Sequence, residues 1–220
     1  MRPLALAGVL LALSAPGAGA STAVPVVHCP TTHGVSQPPP RLPGRISVSA
    51  STKAVANLEA YSSGVLFLLA PKGLHCHALV GADGSASITI TAGSTTHVHE
   101  PAVTVQFADT PATAASLACP LFSAAAHQLS GARCSHTKPA RESTTTAGQG
   151  TLYFTDPPHV QGDGMPSGGN DTARGAIVFL PQSRGFNGYA FLATCTLPAS
   201  DRSACSTILA DALTRIPANE

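Results

Sequence analysis

Charge is scarce in this chain. Only 10% of its 220 residues are Asp, Glu, Lys or Arg, and the 12 basic residues almost match the 11 acidic ones. So even a balance implies no electrostatic partner. Nucleic-acid binding needs a basic patch or stripe. The only basic clustering, from Arg133 to Arg141, is sparse and interrupted, so nucleic acid is not expected as a partner. A long apolar run is missing as well. A spanning helix needs about 20 consecutive apolar residues, and the run from Leu4 to Leu13 falls well short of that. No membrane span is therefore expected. No internal repeat of fixed period is present either. What remains is a surface of Thr, Ser, Gly and Pro, which suits a secreted β-rich protein better than a cytosolic helical one.

The first residues read as a leader. Arg2 precedes the apolar run, and Ala18-Gly19-Ala20 supplies the small residues of a cleavage site, the pattern of a cleaved secretory signal. Cleavage is expected between Ala20 and Ser21. The first cysteine, Cys29, lies too far on to be a lipid-modified N-terminus. The organisation read from the chain is a signal peptide at 1–20, an N-terminal strand with a proline-rich extended segment at 21–45, and an α+β domain at 46–220.

Six cysteines in an exported chain point to three disulfides. Cys195 and Cys205 bracket a turn between a strand and a helix whose apolar stripe is Cys205, Ile208, Leu209, Ala212, Leu213 and Ile216. They are expected to pair, with Asp211 on the opposite, outer face. Cys119 and Cys134 bracket a stretch ended by Gly131 and form the second expected pair. Cys29 and Cys76 remain as the third.

Cys76 stands between two histidines in "GLHCHALVGADGSASITI", residues 73–90. A two-residue Asp83-Gly84 turn would put His77 on the face of Ile88 and Ile90. A three-residue Ala82-Asp83-Gly84 loop, with Gly84 left-handed, sets Val80 opposite Ala86 instead. Cys76, Ala78 and Val80 then join Ile88 and Ile90 inside, and His75 and His77 point outward beside Thr89 and Thr91. The second register buries the apolar residues together and is preferred. Imidazoles at i and i+2 can chelate a metal, and "THVHEP" adds His97, His99 and Glu100. No third ligand lies at a diagnostic spacing. The four histidines are metal candidates to which the reading does not commit, and no cofactor is expected.

The other candidate for chemistry is the long glycine-rich connection after Thr155, which carries Asp156, His159, Asp163, Ser167 and Asp171. Such a connection is often functional, and an Asp-His-Ser hydrolase is conceivable there. Ser167 follows Pro166 and lacks the Gly-x-Ser-x-Gly elbow. The loop also lacks the Gly-Lys-Ser/Thr ending of a phosphate cradle and the alternating carboxylates of a calcium loop. An ordered loop with tight glycine turns is the plainer reading.

The segments "ALVGADGS", "LACPLF", "DPPHVQGDGMPSGG" and "ATCTLP", in that order, resemble a family of exported actinobacterial proteins with a domain of uncharacterised function. The likeness runs from Val24 to Arg215. It implies an exported or envelope location and supplies no activity or catalytic residue.

The expected fold is α+β, a largely antiparallel β-sheet with two short helices, stabilised by disulfides. Strands are expected at 24–28, 45–50, 65–70, 74–80, 86–91, 103–107, 152–155, 176–180 and 189–194, with helices at 121–129 and 202–216. The expected function is that of a secreted or extracellular protein, with cell-wall association as the finer reading. It would be a non-catalytic binding or structural module for an extracellular or envelope ligand. The alternatives are a secreted hydrolase with its site at 156–171 and a histidine-based metal-binding protein.

Overall fold

The chain changes sheets at two consecutive residues. Cys29 donates its N–H to Ser62 O at 2.9 Å, in one sheet, and Pro30 O accepts the N–H of Ala78 at 2.9 Å, in the other. Proline has no N–H with which to prolong the first ladder. In the computed structural model the described residues are 21–35, 41–92, 102–119, 121–122, 125, 143–146, 150–158, 171–181, 183 and 188–217.

The smaller sheet has the order β3-β1-β4-β5, with β1 Thr22–His28, β3 Arg45–Val48, β4 Leu58–Ser62 and β5 Phe67–Pro71. The larger runs β2-β6-β7-β8-β12-β11-β10-β9. Its strands are β2 Thr31–His33, β6 His75–Val80, β7 Ala86–Thr91, β8 Ala102–Ala108, β9 Ser143–Thr146, β10 Thr151–Asp156, β11 Ala173–Leu180 and β12 Tyr189–Thr196. The β1–β4 and β2–β6 pairs are parallel and the others antiparallel. The fold is α+β and mostly antiparallel, as the alternating pattern predicts.

One face of the larger sheet, carrying Ile88, Ile90, Val103, Val105, Phe191 and Ala193, packs against the smaller sheet and the C-terminal helix. That helix, Ala204–Leu213, is α3; α1 is the single turn Thr52–Val55. Helix α2, Pro111–Ala118, lies on the other face over Ile177, Phe179 and Leu192. Thr110 and Pro111 begin it, since proline is favoured in the first turn of a helix. Its buried side is all alanine at 114, 115 and 118, which allows close approach to the bulky phenylalanines beneath.

Cys29 bonds Cys76 with a Cα separation of 5.3 Å and joins the two sheets. Cys195 bonds Cys205 at 5.6 Å and joins β12 to α3. The second matches the pair expected from spacing and the first the pair that remained. Cys119, at the end of α2, is disulfide-bonded too; its expected partner, Cys134, lies outside the described residues.

Several boundaries differ from the sequence expectation. Strands β2, β4 and β9 and helices α1 and α2 were not anticipated. Thr31–His33 extends the larger sheet instead of running free. The helix expected at 121–129 lies largely outside the described residues. The clearest correction concerns Asp211, which is buried, 5% exposed, not on an outer helix face. It accepts from Arg215 Nε at 2.7 Å and Nη2 at 2.9 Å, and Nη2 also bonds Ser47 O, tying α3 to β3. A charge four residues before an arginine can be carried inward when the pair satisfies itself.

Two substitutions test this packing. Hydrogen bonds to charged groups contribute about 1.5–3 kcal/mol, so Asp211→Ala is expected to lower stability by about that amount while the exposed Asp201→Ala changes little; denaturant midpoints compare them. Gly175 faces Phe154, whose ring fills the space a Cβ would need. Gly175→Ala is expected to cost about 1–3 kcal/mol by overpacking, and the penalty should shrink in a Phe154→Leu background, as a double-mutant cycle measures.

Candidate functional site

Strand alternation sorts β6 into two chemistries. Cys76, Ala78 and Val80 pack into the core, and His75, His77 and Leu79 take the opposite face. Register is set by the β6–β7 loop, in which Val80 pairs with Ala86 and Ile88 with Ala78. Gly81 N–H reaches Ser85 O at 2.7 Å, which leaves three residues in the loop, and Gly84 has φ +84°. The three-residue loop is the one that the apolar residues demand.

Three rows follow on this outer face. His75 lies opposite Thr91; His77 lies opposite Thr89, which pairs with Thr104; Leu79 lies opposite Ser87, which pairs with Gln106. Thr104 and Thr194 bring their hydroxyls within 2.5 Å of each other and close the second row on its inner side. The third row opens into a cleft of about 670 Å³ between the β6–β7 hairpin, β2 and α2. Its polar groups come from Thr32, Ser87, Gln106, Thr113 and Ser116, and Leu79 and Leu117 supply apolar surface. No Asp, Glu, Lys or Arg lines it. His33 also lines the cleft, and its Nδ1 is buried with no hydrogen-bond partner among the described residues. Smaller clefts of about 290 and 460 Å³ flank α3.

Asp83 and Asp109 stand at the hairpin end of this face. The Ser85 hydroxyl, at 2.6 Å, and the Ser85 N–H, at 3.1 Å, hold Asp83 below its ordinary range. Burial raises Asp109, and the nearby Asp83 charge adds to that.

The sequence candidates separate in space. His75 is exposed and His77 half-buried, and neither makes a hydrogen bond among the described residues. Asp156 is 1% exposed at the end of β10, on the face of Phe154. β10 and β6 are five interstrand spacings apart in the sheet order, or about 24 Å at the usual spacing, so Asp156 cannot join the histidine pair in one site. Asp171 is half-buried just before β11. His97, His99, Glu100, His159, Asp163 and Ser167 lie outside the described residues. Among the described residues no three His, Cys, Asp or Glu side chains cluster as a metal site, and no helix is long and apolar enough to cross a membrane.

Sequence reasoning missed the cleft because four separate segments build it. Its one local signal is Leu79, an apolar residue, 49% exposed, on the strand face that otherwise carries histidines.

A raised carboxyl gives a pH test. The native state holds the Asp109 proton to a higher pH than the unfolded chain does, so stability present at low pH is lost as pH rises through the native range. Asp109→Asn is therefore expected to stabilise the protein near neutral pH, with the gain vanishing in acid where the wild-type carboxyl is already protonated. Thermal melts across pH check this; a loss of stability at neutral pH would contradict it.

Comparison with known proteins finds no matching family model, no matching curated protein and no matching solved structure.

Proposed function

We propose that this protein is an exported, non-catalytic binding module that holds a small, uncharged, hydrogen-bonding ligand in the cleft between the β6–β7 hairpin and α2. The observation that carries this reading is the lining. Hydroxyl and amide groups and the His33 imidazole surround aliphatic surface with no Asp, Glu, Lys or Arg among them, and a volume of about 670 Å³ lies within the usual range of small-molecule sites, about 300–1,000 Å³. Such a lining selects by hydrogen-bond pattern and shape, not by charge. The buried His33 Nδ1 supports the reading, because a polar atom shut from water calls for a partner.

Export is supported by the leader-like start and by the disulfides, which persist in oxidising compartments. An envelope ligand and an actinobacterial source follow from the resemblance of "ALVGADGS" and "DPPHVQGDGMPSGG" to exported proteins of that group. A binding role needs no reacting group in the cleft, and the described lining offers neither a nucleophile–base pair nor a carboxylate dyad.

The test uses neutral oligosaccharides and uncharged di- and tripeptides as probes, with backbone amide shifts as the readout. A binder is expected to shift Leu79, Ser87, Gln106 and Leu117 together. Ser87→Trp, which fills the cleft from a half-buried position on β7, is expected to abolish those shifts, with unfolding midpoints confirming that the variant keeps the fold. Shifts confined to the segment after Asp156, or equal binding by the Ser87→Trp variant, would move the site elsewhere.

A further inference from the structure

The upper rows of the same face carry a second chemistry, at residues that do not line the cleft. Two residues of strand separate the Cα atoms of His75 and His77 by about 6.7 Å at the usual rise. Both side chains leave the sheet in the same direction, because the intervening Cys76 is turned inward. That spacing lets two imidazoles converge on one ion held at about 2.0–2.1 Å from each nitrogen.

Three further features favour an ion here. Neither ring is committed to a hydrogen bond among the described residues, so its nitrogens remain available as ligands. Their cross-strand partners, Thr91 and Thr89, are neutral, so no carboxylate or ammonium in those pairs competes for the imidazoles. The strand between them is fixed on both sides, by the Cys29–Cys76 disulfide and by the complete β6–β7 ladder. A chelating pair on a fixed strand loses little freedom when it binds.

We infer that His75 and His77 form a two-histidine chelate for a borderline divalent transition metal. Copper(II) is held most tightly and zinc and nickel more weakly. Imidazole suits these metals, and copper heads the divalent affinity series. Among the described residues no third histidine, cysteine or carboxylate joins the pair, so the two imidazoles are the ligands that define this site. The exposed His75 places the ion at the surface, unlike a buried structural zinc site with four protein ligands.

The experiment titrates copper(II) into the folded, disulfide-bonded protein, with calorimetry for affinity and electron paramagnetic resonance for nitrogen coordination. The wild type is expected to bind one ion at this pair with two equatorial nitrogens. His75→Gln and His77→Gln are each expected to weaken binding at least about tenfold, because one imidazole alone does not chelate. A geometric control separates the pair from the other histidines. His75→Gln combined with Leu79→His rebuilds an i, i+2 pair with His77 on the same face and is expected to restore binding. Unfolding midpoints confirm that each variant keeps the fold. Equal copper binding by the His75→Gln/His77→Gln double variant would overturn the assignment. So would a one-nitrogen signal in the wild type, or failure of the relocated pair to recover affinity.

Discussion

The position of Cys76 constrains most of what this molecule presents to solvent. A strand has a side-chain period of two, so any residue fixed on one face dictates the face of its neighbours. The bond to Cys29 draws Cys76 into the layer between the sheets. His75, His77 and Leu79 must then face away. A slip of one residue would bury two imidazoles and expose Ala78 and the sulfur, and an imidazole buried without a partner is costly. The hairpin loop imposes the same register independently, through the left-handed Gly84 and the Gly81 to Ser85 bond. Covalent and conformational constraints therefore agree, and both outer-face proposals depend on that agreement.

The same linkage explains how so short a chain holds three layers. Cys29 and Pro30 mark the switch from the smaller to the larger sheet, where a lost donor and a new acceptor meet. Tyr61 secures the return crossing. Its buried hydroxyl lies 2.6 Å from Glu59 Oε1 and accepts the Leu74 N–H at 3.0 Å, which pins the chain as it leaves β5 for β6. Burial and the Glu59 carboxylate raise the hydroxyl far above the usual tyrosine range, so it stays protonated and able to donate. At the other end the Cys195–Cys205 bond and the Asp211–Arg215 pair hold α3 against β12 and β3. Each of these crossings adds a polar or covalent bond to the apolar packing between the layers.

How much of this the sequence discloses depends on whether a signal is local. The β6–β7 hairpin was legible because its Asp-Gly loop marks the turn, and its apolar alternation and its cysteine choose between the two registers that loop permits. Of the two described disulfides, Cys195–Cys205 followed from spacing and Cys29–Cys76 as the remainder of an even set. Strand β4, "LEAYS", was hidden because Glu, Ala and Ser are poor strand formers, and burial against β1 and β5 overrides that preference. Helix α2 was hidden because its contact side is alanine, which gives little amphipathic contrast although it packs closely. Asp211 was misplaced for a different reason. Period alone puts a charge outside, and only the tertiary position of Arg215 and Ser47 makes an inward carboxylate tolerable. The cleft left no trace beyond Leu79, since β2, the hairpin, β8 and α2 meet only after both sheets have formed.

The two proposals also constrain one another through the sheet. The cleft row and the histidine rows are adjacent on β6, at Leu79, His77 and His75, so a ligand extending from the cleft along the strand would meet the imidazoles next. A metal bound there would place positive charge beside a cleft that no Asp, Glu, Lys or Arg lines and would favour ligands with an electron-rich oxygen at that end. Coupling in the reverse direction must have the same magnitude, because linkage between binding sites is reciprocal. The strand that turns both imidazoles outward also carries Leu79 at the edge of the cleft, and its ladder and disulfide hold the spacing between the two sites. Any coupling would therefore act through charge across a short distance, and added salt would weaken it, whereas coupling through a moving strand would persist.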